Sequence, residues 1–288
     1  MGAGLYDAGF ATLGRIYGAD ARRMIVTLTL FGGFASTVCW PFSAYLVQHF
    51  GWRSACLVYA AIHLCVALPI HLLLVPGVPE KDSDALEAGN RKGMPLVARE
   101  RYVTFVLLAA AISLCSVISS VVSVYLLTIL QAGGLSLAAA VSLGALVGPS
   151  QVGARIVEMA FGRLYHPIWT MLAATLLVTA GLGLLLVGFP ILLLALIPYG
   201  AGIGIESIAR GTLPLALFGA DNFAALMGKI AMPSLIAQAV SPSVGAFILQ
   251  SGGPQALMGV LTGLAALNVV LVGALWVGHR STIPERGD

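Results

Sequence analysis

Long apolar runs, separated by short polar or glycine-rich turns, make up most of the chain. From Tyr102 to Ala154 no charged residue occurs. That length is enough for two crossings, because about 20 mostly apolar residues span a bilayer, and residues 131–134 supply a Gln-Ala-Gly-Gly turn between them. Such runs are much longer than buried strands. The pattern therefore predicts membrane-spanning helices.

The same criterion predicts eight spans and a shorter first segment, which covers residues 1–17. The spans cover residues 24–48, 52–75, 102–130, 137–161, 168–188, 190–217, 224–250 and 255–278. Their glycine and alanine content suits the close approach of helices in lipid. We therefore expect an all-α, polytopic membrane bundle with about nine transmembrane segments.

The composition supports this fold class and argues against others. Of the 288 residues, 59% are hydrophobic and 9% are charged, whereas soluble domains carry about 25% charge. The net charge of +3 is too mild to indicate a nucleic-acid-binding protein. The cysteines lie inside apolar stretches, without a CxxC pair or a nearby histidine cluster at metal-ligand spacing. We expect no metal, no other cofactor and no nucleic-acid partner.

The distribution of basic residues predicts the orientation. Residues 76–101 are rich in proline, glycine and charge, which indicates a solvated linker between two membrane halves. Lys and Arg collect in cytoplasmic loops. With a cytoplasmic linker, alternation places these basic residues on its side: Arg22, Arg23, Arg163, Lys229, Arg280 and Arg286. We expect a cytoplasmic C-terminus and, from the short loops and absent signal peptide, a prokaryotic inner membrane.

The chain also shows weak internal similarity at an offset of 201 residues. The matches are a tripeptide, a proline and a glycine: residues 18–20 with 219–221, Pro41 with Pro242, and Gly51 with Gly252. A parallel repeat of this kind occurs in transporters. It divides the chain into the end of a first half (1–75), the linker (76–101) and a complete second half (102–288). The partners of residues 102 to about 201 would lie before Met1, so about a hundred residues are expected to be missing.

Several local motifs resemble the major facilitator superfamily. They are Gly51-Trp52-Arg53 at an outer turn, residues 4–8 through Arg22-Arg23, residues 148–152 with Arg155, and residues 208–214. The first motif lies between the second and third segments of this chain. The other three look like the end of the family's fourth helix with its loop, its eighth helix and its tenth helix. The resemblance implies alternating access between two six-helix halves. It also implies that the first three helices and part of the fourth are absent.

The predicted function is secondary active transport of a small polar or anionic organic solute, coupled to protons. The family's antiporter motif is not matched by residues 40–43, so exchange is not favoured over proton symport. The expected partners are that solute, protons and the lipid bilayer. Two alternatives stay open: a truncated, transport-inactive membrane protein, and a membrane protein that binds partners or lipid. An enzyme is not expected, because no nucleophile elbow or HExxH motif occurs.

Charged residues within the spans are the first candidates for a site. An ionised group at the bilayer centre costs about 2.5–3.5 kcal/mol or more. The repeat offset places Asp7 opposite Ile208, between Glu206 and Arg210, so we expect the three charged residues at similar depth around a shared cavity. One hypothesis is that Arg210 holds the solute while Asp7 or Glu206 exchanges a proton. The other is that Glu206 and Arg210, four residues apart, only neutralise each other and fix helix packing.

Four further polar residues complete the set of candidates. Arg155 and Glu158 lie three residues apart near the predicted cytoplasmic end of a span, where they could form a gate that closes the inner mouth. Gln151 and Gln238 could line the solute pathway or bond neighbouring helices. Serines at positions 113, 116, 120 and 123 recur at helical spacing. That stripe indicates either a polar path or close helix packing.

Overall fold

The computed structural model describes residues 6–18, 21–74, 99–219 and 223–280, which form helices and turns without a strand. The helices are α1 (Tyr6–Tyr17), α2 (Ala21–Ile62), α3 (Leu68–Leu74), α4 (Arg99–Ala132), α5 (Leu137–Gly144), α6 (Val147–Phe161), α7 (Pro167–Leu186), α8 (Leu193–Phe218) and α9 (Phe223–Arg280). The predicted linker lies outside the described residues apart from 99–101. The same holds for Met1 to Leu5 and for the chain after Arg280.

Six stretches of the described helices are long and apolar enough to cross a membrane. They are Tyr45–Leu73, Tyr102–Ala132, Leu137–Phe161, Pro167–Leu186, Leu193–Phe218 and Phe223–Gly278. The predicted fold class, an all-α polytopic membrane bundle, is confirmed. Length and composition give six such stretches rather than nine, and the number of nine segments stays a prediction.

The chain forms two compact units, residues 1–33 with 99–288 and residues 34–98. In the smaller unit, α2 is interrupted at Gly51, whose φ of 77° suits glycine because it lacks a Cβ. The chain folds back there, since Ser43 and Tyr59 lie eight residues to either side and their hydroxyl oxygens are 2.6 Å apart. This break falls between residues 48 and 52, where the sequence predicts a turn.

In the larger unit, α8 packs closely between α6 and α7. A Cβ on Gly200 would lie 2.8 Å from the Val147 carbonyl oxygen of α6, and a Cβ on Gly202 would lie 2.7 Å from the Ala174 carbonyl oxygen of α7. Gly204 faces α6 again, one turn after Gly200. Small residues at this spacing let helix backbones touch in lipid, where packing replaces the hydrophobic effect.

The long helix α9 folds back at Gly253, where φ is 72°. Both of its arms pack on α4, because Ile230 and Val272 share a buried cluster with Leu108. Near the break, both arms contact a cluster around Val121, to which the first arm contributes Ile248 and the second arm contributes Leu257. Ser234 and Asn268 lie 19 residues before and 15 residues after Gly253, or roughly 28 and 22 Å along the arms. Their distances from the break therefore differ by about 6 Å, slightly more than one helical turn.

Helix α1 packs against the starts of α2 and α9. Phe10 is completely buried, in one cluster with Ile25 and Phe223. Gly211 of α8 approaches the same ring, since a Cβ there would lie 2.9 Å from Phe10. These contacts place the N-terminal helix beside α8.

Backbone conformations bear on the proposed repeat. Gly18 after α1 and Gly219 after α8 both have positive φ, 52° and 81°, and they are 201 residues apart. Gly51 and Gly253, the two breaks, are 202 residues apart, so the second break falls one residue after the sequence match at Gly252. The duplication and the division into two halves stay predictions.

Candidate functional site

Glu206 and Arg210 lie near the middle of α8, where Glu206 is 8% exposed. Glu206 is 13 residues after the start of this helix, which is about 20 Å along it. Arg210 donates through Nη1 to Ser116 Oγ of α4 and through Nη2 to Ser234 Oγ of α9, each at 3.0 Å. One guanidinium therefore links three helices at mid-depth.

The hydroxyl oxygens of the two serines are oriented to accept hydrogen bonds from Arg210. Ser116 donates its own hydroxyl proton to the Ile112 carbonyl at 2.9 Å, and Ser234 donates to the Ala231 carbonyl at 2.9 Å. Each hydroxyl oxygen is thereby directed toward the guanidinium as an acceptor. We name Ser116, Glu206, Arg210 and Ser234 the Arg210 cluster.

A second buried polar pair lies next to this cluster. Asn268 of α9 donates from Nδ2 to the sulfur of Cys115 at 2.9 Å, and the two residues are 1% and 3% exposed. Cys115 directly precedes Ser116 in α4, and it interacts electrostatically with both Glu206 and Arg210. Asn268 was not among the predicted site residues, although it is one of two polar residues between 256 and 276 and polar groups inside membranes are rare.

Arg155 of α6 is buried and donates to the backbone of two other helices. Its Nε bonds the Gly204 carbonyl of α8 at 3.0 Å, and its Nη1 bonds the Thr29 carbonyl of α2 at 2.9 Å. It also forms a side-chain hydrogen bond with Tyr6 of α1 and interacts electrostatically with Glu206. Arg155 therefore joins four helices.

Glu158 lies one turn further along α6 and has different partners. It accepts from Tyr165 Oη at 2.5 Å and from Thr170 Oγ1 at 2.8 Å. Burial, and next the hydrogen bond to Glu158, raises the pKa of Tyr165 to about 12. Arg22 at the start of α2 donates to the Gly162 and Tyr165 carbonyls in the same α6–α7 turn. Arg155 and Glu158 are thus held separately, and the gating role predicted for them stays a prediction.

The structure gives fewer side-chain contacts for the remaining candidates. Asp7 lies in α1 beside Tyr6, but its side chain falls outside the described part of the structure. Gln151 contributes its backbone, which Gly204 approaches closely. The Gln238 carbonyl accepts from Ser120 Oγ at 3.3 Å. The serine stripe thus bonds α4 to its neighbours at Ser116 and Ser120.

The family model of the Major Facilitator Superfamily matches residues 1–167, more than half of the chain. The chain belongs to the major facilitator superfamily. The resemblance predicted from the sequence is thereby confirmed. No curated protein matches the chain.

Membership of the major facilitator superfamily makes the chain an integral membrane protein and a membrane transporter. Members bind small-molecule solutes, sit in a lipid bilayer and are generally not enzymes. Arg155, Glu158 and Ser116 fall inside the matched range, whereas Glu206, Arg210 and Asn268 lie after it. The family match supports the fold and the general function, and the Arg210 cluster is a candidate site from its geometry alone.

Proposed function

We propose that this superfamily member carries a small polar or anionic organic solute by alternating access, coupled to protons, in a prokaryotic inner membrane. Arg210 would bind an acidic group of the solute. Glu206, with Asp7 as the second candidate, would exchange the proton. Gln151 and Gln238 would border the pathway, and Arg155 and Glu158 would stabilise closure at the cytoplasmic end. No enzymatic step is proposed.

The observation that carries the proposal is that two neutral hydroxyl groups bind Arg210 within α8, a helix long and apolar enough to cross a membrane. A guanidinium is a strong partner for carboxylates, because its planar fork donates two parallel hydrogen bonds. A purely structural cation in lipid is expensive, so its retention inside a span favours a functional role. Transporter sites also lie near the bilayer midplane.

The neighbouring carboxylate supplies the proton-coupled part of the proposal. Glu206 is buried one helical turn before Arg210. A carboxylate beside a cation keeps its charge, whereas one in a dry site without the cation takes up a proton. When a solute carboxylate binds Arg210, it neutralises the cation beside Glu206, which favours the protonated form of Glu206. Solute binding and proton binding are coupled in this way.

The test is uptake into proteoliposomes that contain the purified full chain, with a panel of carboxylates and an imposed pH gradient. Arg210→Gln should abolish carboxylate uptake. Glu206→Gln should remove the response to the pH gradient while leaving counterflow exchange of preloaded solute. Arg23→Gln removes the same charge from an exposed position of α2 and should behave as the unmodified protein.

Two results would overturn the proposal. If Arg210→Gln transported carboxylates at the unmodified rate, Arg210 would not be the anion site. If the pH response survived in Glu206→Gln, in Asp7→Asn and in the double variant, neither carboxylate would be the proton carrier. Absence of uptake in the unmodified chain, with carboxylate binding preserved, would favour the alternative of a binding protein.

A further inference from the structure

The two polar atoms of the buried Asn268 amide differ in their hydrogen bonding. Nδ2 donates to Cys115, whereas Oδ1 is buried and has no hydrogen-bond partner among the described residues. The side chain is 1% exposed. An acceptor removed from water without a partner is destabilising, so this atom points to a donor other than the described residues.

The location of this acceptor relates it to the Arg210 cluster. Cys115, which orients the amide, precedes Ser116, and Ser116 accepts from Arg210. Cys115 interacts electrostatically with Arg210 and Glu206. A strong donor and a neutral acceptor therefore lie on adjacent parts of one polar region.

We propose that Asn268 is a specificity-determining residue and that the solute is a small hydroxycarboxylate. This inference rests on the proposed function, in which Arg210 binds the carboxylate. The solute hydroxyl donates to Asn268 Oδ1, and Cys115 positions the amide so that its oxygen is the free end. A carboxylate without the hydroxyl still pairs with Arg210 but leaves Oδ1 unsatisfied.

The selectivity follows from the cost of that unsatisfied acceptor. Sites that hydrogen-bond a solute hydroxyl discriminate strongly against the analogue that lacks it, because the buried polar group is then left unpaired. For one neutral acceptor we expect the hydroxy acid to bind about tenfold or more tightly than its deoxy analogue. An apolar residue at position 268 removes this acceptor, so the solute hydroxyl loses its partner and the preference disappears.

The experiment measures binding rather than transport. The full chain in detergent is titrated with lactate against propionate and with 3-hydroxybutyrate against butyrate, and the dissociation constants come from ligand-dependent thermal stabilisation. The two pairs cover two spacings between carboxylate and hydroxyl. At least one pair should show the tenfold preference. Asn268→Leu should bring the ratio close to one, mainly by weakening the hydroxy acid.

Thr262→Val is the matched control. Thr262 lies in the same arm of α9 and its hydroxyl is also buried without a partner among the described residues, so the change removes a comparable polar group at another position. It should leave the preference intact. If Asn268→Leu does not unfold cooperatively, Asn268→Gln replaces it. This variant keeps the amide but moves it by one methylene, and it should also reduce the preference.

The outcomes separate this inference from the proposed function. A preference that persists in the Asn268 variants, or no preference in either pair, overturns the role of Asn268 while binding of all acids through Arg210 stands. Loss of all carboxylate binding in Arg210→Gln supports the proposed function independently. Unchanged binding in Arg210→Gln overturns both.

Discussion

Arg155 is a buried cation that bonds the backbones of two other helices. Its guanidinium donates to the Gly204 and Thr29 carbonyls, which belong to α8 and α2. Gly33 leaves the space that the guanidinium occupies. Since backbone carbonyls on two helices accept these charge-assisted bonds, the side chain acts as a cross-link between α6 and its neighbours.

Replacement of Arg155 should therefore lower stability in a graded manner. Arg155→Ala removes the two bonds to backbone carbonyls and the bond with Tyr6. It also leaves a cavity, and we expect the free energy of unfolding to fall by about 2 kcal/mol. Arg155→Lys keeps the charge but lacks the planar fork, so it should lose less. Thermal unfolding of the purified chain measures both. Equal melting temperatures for the three proteins would show that the contacts are not stabilising.

Tyr165 should titrate well above an ordinary tyrosine. Burial and the hydrogen bond to Glu158 raise its pKa from 10 to about 12. Because the folded pKa is raised, the bond contributes fully below about pH 10 and is lost as the pH rises through about 12. The difference between the ultraviolet phenolate titrations of the unmodified protein and Tyr165→Phe isolates this group.

Glu158→Gln provides the check on the cause of that shift. It removes the carboxylate but keeps a hydrogen-bond acceptor of similar size, so the pKa of Tyr165 should fall back toward 10. A value that stays near 12 in this variant would assign the whole shift to burial.

Single residues also show the limits of prediction from sequence. The spacing of Arg155 and Glu158 suggests one joint site, but Arg155 bonds the backbone of α8 and Glu158 accepts from Thr170 of α7, and these contacts depend on packing. Asp7, Glu206 and Arg210 were identifiable because ionised groups are rare inside spans. Asn268 and Ser234 are neutral, and their importance follows only from the contacts with Cys115 and Arg210.

At the scale of helices, the packing of α8 depends on glycine. A Cβ on Gly204 would lie 2.5 Å from the Gln151 carbonyl oxygen and 2.8 Å from its Cα. The backbone of α6 would have to move to accept a methyl group. We expect Gly204→Ala to cost about 1–3 kcal/mol in the thermal unfolding of the chain.

Gly183 of α7 is the matched control for that change. Its added Cβ would meet no atom within 4 Å, and alanine is the better helix former by about 0.8–1 kcal/mol. Gly183→Ala should therefore be neutral or stabilising. If Gly183→Ala lowered the free energy of unfolding as much as Gly204→Ala, close packing at Gly204 would not be the cause of the effect.

Hydropathy predicted the helix ends and the breaks at Gly51 and Gly253, but it did not predict the division of one span. Hydropathy gave 168–188 for α7, which spans Pro167–Leu186, because lipid requires a continuous apolar run. It also gave one span for residues 137–161, which the structure divides into α5 and α6. Pro149 explains the division, since it has no N–H to continue the hydrogen bonding of the preceding turn.

For the whole molecule, the basic residues predict which ends of the bundle face the cytoplasm. Arg22 donates to the α6–α7 turn, so this turn and the start of α2 lie at the same end. Helix α7 then carries the chain for 20 residues, or about 30 Å, to the α7–α8 turn at the opposite end. The positive-inside rule assigns the end that carries Arg22 to the cytoplasm.

Labelling of single cysteines tests this orientation. Leu164 and Val187 flank α7 and are similarly exposed, 80% and 73%, so Leu164→Cys and Val187→Cys form a matched pair in a chain without its native cysteines. A membrane-impermeant maleimide added to intact cells should label Val187→Cys only. Leu164→Cys should react only after permeabilisation, because α7 places it on the cytoplasmic side. The reverse result would invert the orientation, and labelling of both from one side would contradict a membrane-spanning α7.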